Sequence, residues 1–369
     1  MKNTMDSPTS SPNESSWLSL ENGGHVRFSG VEHGAGFRMQ GYWIWCGSVI
    51  RGGDGRYHLF ASRWPDNLAF SPHWITNSEV VHAVADRPEG PFEFSDVALP
   101  QRGAEYWDGR MTHNPTIHFH DGTYYLFYTG TTYEGPTPSL QIPIPASDPG
   151  NLNDPAAVPE LLVKAHSGQR VGVATSSSPS GPWKRMDAPL LLPRPGQWDG
   201  LITTNPSISI RPDGHTLMVY KSVEYRGGPM HLGVAAAETP LGPFTRLSDE
   251  PIVAFDEEDD DLEDPCVWWA GDHYEMLSKC MEGRVCSQPK AGLLFRSDDG
   301  LNWSLVSRDP AYTRDLSWSD GTSSQQSFLE RPQVLLQDGR LTHIYFATAV
   351  GSDHIGKVTA SWNQSITLR

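Results

Sequence analysis

Short runs of aliphatic and aromatic residues, bounded by Gly, Pro, Asp or Asn, recur along this chain at intervals of tens of residues. Five copies of one phrase open them: polar residues, then Pro or Gly, a small or polar residue, and the aliphatic start of a strand. They are Trp45-Cys46-Gly47-Ser48-Val49, His113-Asn114-Pro115-Thr116-Ile117, Thr204-Asn205-Pro206-Ser207-Ile208, Glu263-Asp264-Pro265-Cys266-Val267 and Glu330-Arg331-Pro332-Gln333-Val334. A second apolar run follows each at a steady distance, as in Tyr57-His58-Leu59-Phe60 and Tyr124-Tyr125-Leu126-Phe127-Tyr128. Turn residues such as Asp121-Gly122, Pro212-Asp213-Gly214 and Asp338-Gly339 separate the runs, so each pair reads as a β-hairpin.

A third phrase completes the unit. Gly172-Val173-Ala174-Thr175 runs to Pro179-Ser180-Gly181-Pro182-Trp183, and His82-Ala83-Val84-Ala85 and Gly233-Val234-Ala235-Ala236 have similar sequels. In the fourth repeat, Ser297-Asp298-Asp299-Gly300 leads to Trp303 and resembles the structural turn of an Asp-box. Each is a third strand, a tight turn and an aromatic opening a fourth strand. No long stretch follows a helical period, so helix should be scarce. The predicted fold is all-β: a five-bladed β-propeller with four antiparallel strands per blade.

Length alone would allow two or three domains among 369 residues. Five blades of about 60–70 residues use nearly all of the chain. The expected organisation is therefore a polar, disordered tail over residues 1–16 and one propeller domain over 17–369. A net charge of −16 argues against nucleic acid or an anionic membrane as partner, and no apolar run is long enough to span a bilayer. The tail has no apolar core of a leader, so the expectation is a cytoplasmic protein, or a secreted or periplasmic one if the sequence is truncated. Cys46, Cys266, Cys280 and Cys286 lack metal-type spacing. A Cys266–Cys280 bridge is conceivable on one hairpin, but reduced, buried thiols are the expectation. The acidic run Asp256 to Asp261 lacks the Gly and alternation of a Ca²⁺ loop and reads as solvated. No metal, cofactor or oligomeric state follows from the sequence.

In a propeller the first strand of each blade lines the central channel. The polar pairs of the five phrases therefore ring one mouth: Trp45/Cys46, His113/Asn114, Thr204/Asn205, Glu263/Asp264 and Glu330/Arg331. The ends of the second strands, read as Arg63, Thr129, Lys221, Lys279 and Thr348, should face the same funnel. The long connection from Tyr133 to His166 is either a wall over that funnel or a surface insertion. Trp107-Asp108-Gly109 and Trp198-Asp199-Gly200 each place Asp six residues before the repeat Asn. They read either as structural turns or as a sugar platform with an adjoining carboxylate.

The Pro-led inner strands, the Tyr124 to Tyr128 run and the stretch Val173 to Trp183 resemble the five-bladed family 43 glycoside hydrolases and their relatives in families 32, 62, 68, 117 and 130. The resemblance spans roughly residues 40 to 362. It implies a general base at the first-blade position, a pKa-tuning Asp in the third blade and a general acid at Glu263. Cys46 and Asn205 occupy the first two positions, so two of the three usual carboxylates are missing. A second carboxylate is then sought among Asp199, Asp108 and Glu330, in that order, with Asp264 at the same mouth. His113, Asn114, Asn205, Trp107, Trp198, Asp264 and Arg331 would shape the substrate site. Lys221 and Lys279 either pair with neighbouring carboxylates or, with Arg63, Arg110 or Arg331, bind an acidic or sulfated sugar.

The expected activity is a glycoside hydrolase, exo-acting on a terminal sugar by carboxylate acid/base catalysis, with a carbohydrate as partner. A phosphorylase using inorganic phosphate, a polysaccharide lyase and a non-catalytic glycan-binding propeller are the rivals.

Overall fold

Pro has no N–H to give to a β-ladder, so a Pro inside a central strand demands a bulge. All five inner strands carry that bulge at the same place. Register shifts between Trp45 and Ser48, His113 and Thr116, Thr204 and Ser207, Glu263 and Cys266, and Glu330 and Gln333. The residue before Pro, or before Gly47 in the first copy, turns left-handed each time: Cys46 (φ 61°), Asn114 (52°), Asn205 (51°), Asp264 (58°) and Arg331 (53°). A left-handed non-glycine residue costs about 1–2 kcal/mol. Five such residues at equivalent positions mark a place where the backbone is bent to aim side chains.

The structure is a computed structural model that describes residues 28–142, 158–253, 255, 261–352 and 355–368. The expected tail over 1–16, the middle of the Tyr133–His166 connection and most of the acidic run at 256–261 lie outside the described residues. Four sheets are four-stranded and antiparallel in sequence order, innermost strand first. The first holds Tyr42–Arg51, Tyr57–Pro65, Glu79–Ala85 and Glu93–Leu99. The second, third and fourth begin with Met111–His120, Thr204–Ile210 and Leu262–Trp269 and end in outer strands of two residues. Each inner strand packs on the next, and the last, Phe328–Gln337, returns to the first, which closes a five-membered circle. The architecture is the five-bladed β-propeller that the repeats predict.

The fifth sheet departs from four strands. It holds Phe328–Gln337, Arg340–Val350 and Ala360–Thr367, and Phe37 bridges antiparallel to Asn363 at its outer edge. A segment from before the first blade thus stands beside the last blade and ties the ring shut. Gly36 permits the approach, because a Cβ there would lie 2.0 Å from the Asn363 carbonyl oxygen. A small extra sheet joins Ser29–Val31 to Asp315–Trp318 and Ser323–Gln325.

Helix is scarce, as expected, but it is placed where it matters. The helices Phe70–Asn77 and Glu160–Ser167 lie in the connections from second to third strand of the first two blades. They meet over Ile75, Met111, Tyr133, Leu162 and Ala165. The core otherwise lies between blades, in apolar clusters such as Phe37, Ile44, Leu59, Val81, Phe92 and Tyr345.

Candidate active site

The five left-handed residues form a ring of contacts across the channel. The Cys46 thiol donates to Asn114 Oδ1 (2.8 Å), Asn114 Nδ2 donates to Asn205 Oδ1 (2.6 Å), and Asn205 Nδ2 donates to Asp264 Oδ1 (3.1 Å). Arg331 Nη1 reaches the same Asp264 oxygen from the other side at 3.4 Å. Burial pushes the Cys46 thiol up to about 12, with the Arg331 charge pulling the other way, so it is a protonated donor and not a base. The hydrogen bonds run in one direction and end on a carboxylate, which offsets part of the backbone strain.

Register decides which second-strand residues reach this ring. Trp45 faces Ser62, His113 faces Thr129, Thr204 faces Lys221, Glu263 faces Lys279 and Glu330 faces Ala347. Lys221, Lys279 and Thr129 fall where the sequence places them. Arg63 and Thr348 are one residue off, and a shift of one turns a side chain to the other face of the sheet. Arg63 instead grips Glu79 Oε1 at 2.8 and 3.0 Å and lies over the ring of Tyr42. Arg63 is therefore not a mouth residue.

The ring floors a pocket of about 110 Å³ lined by Trp45, Trp64, Phe70, Trp74, His113, Asn114, Asn205, Lys221, Glu263, Asp264, Glu330, Arg331 and Ile355. A larger cavity of about 410 Å³ opens at the opposite end of the channel among Ser48, Thr116, Ser207 and Gln333, away from the carboxylates. Lys279, 1% exposed, organises the acidic side of the mouth. Its Nζ lies 2.9 Å from Glu263 Oε2, 3.1 Å from Asp264 Oδ2 and 2.8 Å from Glu330 Oε1. Lys221 binds the other oxygen of Glu263. Both lysines thus pair with carboxylates, the plainer of the two expectations.

The two glutamates are driven apart. Burial pushes Glu263 up, but the charges and hydrogen bonds of Lys221 and Lys279 outweigh it and hold the carboxyl far below its usual range. Burial also pushes Glu330 up. Lys279 pulls it down, the Asp264 and Glu263 charges push it up again, and the net shift is upward. Lys279 is held well above the usual lysine value, because the three carboxylates overcome its burial. The environment of Glu263 is opposite to what a resting general acid needs, whereas that of Glu330 fits one. His113 is pulled down to about 3 by burial and by the Arg331 and Lys221 charges, so its ring is neutral against Ser78 (2.8 Å).

Asp199 and Asp108, the first and second choices for the second carboxylate, are not at the mouth. Both are fully buried. Asp108 accepts from Arg102 Nε (2.7 Å), Arg185 Nη1 (3.4 Å) and the Tyr128 hydroxyl (2.6 Å). Asp199 accepts from Arg194 Nε (2.9 Å), Arg246 Nε (2.6 Å) and the Tyr220 hydroxyl (3.0 Å). Trp107 and Trp198 stack on those tyrosines at 5.9 and 6.1 Å, so neither forms a sugar platform in the pocket. Gly172 makes room for Trp107, since a Cβ there would lie 2.6 Å from its ring. The Trp-Asp-Gly phrase is a structural staple, repeated in two blades.

The aromatic wall was not expected from the sequence. Trp64, Phe70 and Trp74 come from the first blade, whose connection holds the helix Phe70–Asn77. Trp64 Nε1 donates to the Phe70 carbonyl at 3.1 Å, and Trp45 meets Phe70 edge-on at 5.0 Å. The second-blade connection props this wall from behind, with the Tyr133 hydroxyl on the Thr76 carbonyl (2.6 Å) and the Ile142 N–H on His73 Nε2 (3.1 Å). The density of aromatic residues between the second and third strands of the first blade was the available signal.

No family model matches the chain, and no curated protein matches it in sequence. Solved structures do. Zg3597, a family 117 glycoside hydrolase from the marine bacterium Zobellia galactanivorans, is 17% identical over 93% of this chain and 89% of its own, with a TM-score of 0.60. CoXyl43, a family 43 β-xylosidase/α-arabinofuranosidase from a compost microbial metagenome solved with xylotriose, is 14% identical over 92% of this chain and 94% of its own, with a TM-score of 0.53. The family 32 β-fructofuranosidase BmSUC1 of Bombyx mori is 12% identical over 92% of this chain and 61% of its own, with a TM-score of 0.55. At these identities the likeness is one of fold: this chain shares its propeller with glycoside hydrolases of three families.

Proposed function

We propose that the protein is a glycoside hydrolase that removes a terminal sugar, with Glu330 as general acid and Glu263 as the ionised carboxylate opposite it. One observation carries this reading. A single buried ammonium, Lys279, holds both carboxyl groups, at 2.8 and 2.9 Å, while their surroundings shift them in opposite directions. That is the acid/base division which glycoside cleavage requires. The shared fold with glycoside hydrolases supports the reaction class.

Geometry also bears on stereochemistry. With Lys279 common to both, the bound oxygens of Glu263 and Glu330 are at most about 6 Å apart, short of the 6.5–9.5 Å of inverting enzymes, which supports a retaining mechanism. Glu330 gives its proton to the glycosidic oxygen as the bond to the anomeric carbon breaks. Glu263 forms a bond to that carbon. Water then attacks the same carbon, gives its proton to Glu330 and releases Glu263. Lys221 and Lys279 keep Glu263 ionised before the first step. The wall of Trp45, Trp64, Phe70 and Trp74 closes one side of the pocket, which supports exo action on a chain end.

The test is a product assay on neutral, uronic and sulfated oligosaccharides, comparing the wild type with Glu330→Gln and Glu263→Gln. Release of a monosaccharide by the wild type and its loss in both variants is expected. Equal release by all three proteins would remove both residues from the reaction.

A further inference from the structure

Arg331 is 2% exposed and lines the pocket, yet among the described residues its Nε and Nη2 meet no oxygen or nitrogen acceptor. Those two nitrogens form the lateral edge of the guanidinium, the fork that receives two oxygens of one carboxylate or sulfate. The remaining nitrogen, Nη1, is committed to Asp264.

The surrounding acids are otherwise engaged. Glu263 binds Lys221 and Lys279, Glu330 binds Lys279, and Asp264 is held by Asn205, Lys279 and Arg331 Nη1. The Cys46 sulfur lies within hydrogen-bonding reach of the Arg331 guanidinium as well as of its charge. Its proton is committed to Asn114, and thiol sulfur is a weak acceptor, so it does not satisfy the fork. When Glu330 carries the proton a general acid must hold, the mouth keeps three cations, Lys221, Lys279 and Arg331, against the two anions Glu263 and Asp264.

We propose that Arg331 makes this pocket selective for an acidic terminal sugar, its unpartnered edge receiving a carboxylate or sulfate carried by that sugar. The inference rests on the pocket being the sugar site. It adds the substrate class. The oxyanion enters on the substrate, leaving both glutamates their roles, and the fixed guanidinium discriminates against the neutral counterpart by leaving an unsolvated charge edge empty.

The experiment is calorimetric titration of the full chain with glucuronate, galacturonate and glucose 6-sulfate, against glucose, galactose and inorganic phosphate. At least one acidic sugar should bind roughly tenfold or more tighter than its neutral counterpart, and Arg331→Lys, which keeps the charge but loses the fork, should abolish most of that preference. Arg331→Gln should do the same, and if neither variant folds the wild-type comparison decides. Equal binding of acidic and neutral sugars overturns the proposal, as does a preference that survives both substitutions. Phosphate binding that depends on Arg331, with no preference for acidic sugars, also overturns it and assigns the fork to a phosphate co-substrate. Cleavage of neutral glycosides without acid preference defeats this inference alone. Acidic-sugar binding without cleavage of any corresponding glycoside defeats the hydrolase reading and leaves this one standing.

Discussion

Lys279 Nζ lies 2.8 Å from Glu330 Oε1 in a site where the lysine is 1% exposed. A buried ammonium is tolerated only with partners, and this one has three carboxylates. The lysine therefore sets both the stability of the mouth and the proton balance of its acids.

Replacing Lys279 by Met leaves those carboxylates buried without their common cation. The expected cost is about 3–5 kcal/mol. Without the cation the carboxyl values of the folded state rise, and a group raised in the folded state loses stability as pH rises through that window. In the wild type the depressed Glu263 contributes stability above its unfolded value and loses it as pH falls. Urea unfolding should thus show a wider gap between the two proteins at pH 8 than at pH 4. A gap independent of pH would contradict the assignment.

Asp108→Asn and Asp199→Asn test the structural reading of the Trp-Asp-Gly staples. Each removes a buried anion from between two arginines and a tyrosine. A loss of about 3 kcal/mol in denaturant stability is expected, with turnover of the folded enzyme unchanged. A turnover collapse without loss of stability would return these residues to the chemistry.

The pH profile of kcat/KM should fall on its alkaline side as Glu330 loses its proton, at a pH shifted upward from the ordinary glutamate value by burial and the neighbouring carboxylates. The acid limb should lie at very low pH, because Glu263 stays ionised beside two lysines. Glu330→Gln should remove the alkaline limb along with most of the rate. An alkaline limb that persists in Glu330→Gln would place the titrating acid elsewhere.

Trp74→Ala removes part of the pocket wall without touching the carboxylates. KM should rise roughly tenfold, about 1.4 kcal/mol, with kcat nearly constant. Steady-state kinetics on the responding glycoside reads both, and an unchanged KM would exclude the wall from binding.

The repeats carried the fold because each blade restates one pattern: Xaa-Pro, or Cys46-Gly47 in the first, at the inner strand, a hairpin turn, then a third strand. The same phrase located the mouth, since Pro, or Gly47 in the first blade, sits at the bulge that turns Cys46, Asn114, Asn205, Asp264 and Arg331 inward. What stayed hidden were facts of register and pairing. Arg63 was misplaced by a single residue, and only the cross-strand partner Ile44 reveals which face it takes. Asp199 looked free because two of its partners, Tyr220 and Arg246, lie 21 and 47 residues away on other strands, and nothing local says that the nearby Arg194 turns toward it. The opposed shifts of Glu263 and Glu330 depend on a lysine contributed by the neighbouring strand of one blade and shared with the next blade. The aromatic wall depends on how a helical insertion folds back over the mouth, which local periodicity does not encode.

The central claim is the division of labour between Glu330 and Glu263, and leaving-group dependence tests it most directly. A glycoside whose leaving group departs without protonation needs no general acid, but it still needs the opposing carboxylate. Both variants would be assayed on such an aryl glycoside and on the corresponding sugar–sugar linkage. In kcat/KM, which reads the first, bond-breaking step, Glu330→Gln should lose about 10²–10⁴ on the sugar–sugar linkage and keep most of its value on the aryl glycoside, while Glu263→Gln loses both; the second step, for which Glu330 is the base, should slow in Glu330→Gln with either substrate. The reverse pattern, with Glu263→Gln spared by the activated substrate, would make Glu263 the acid and contradict the account.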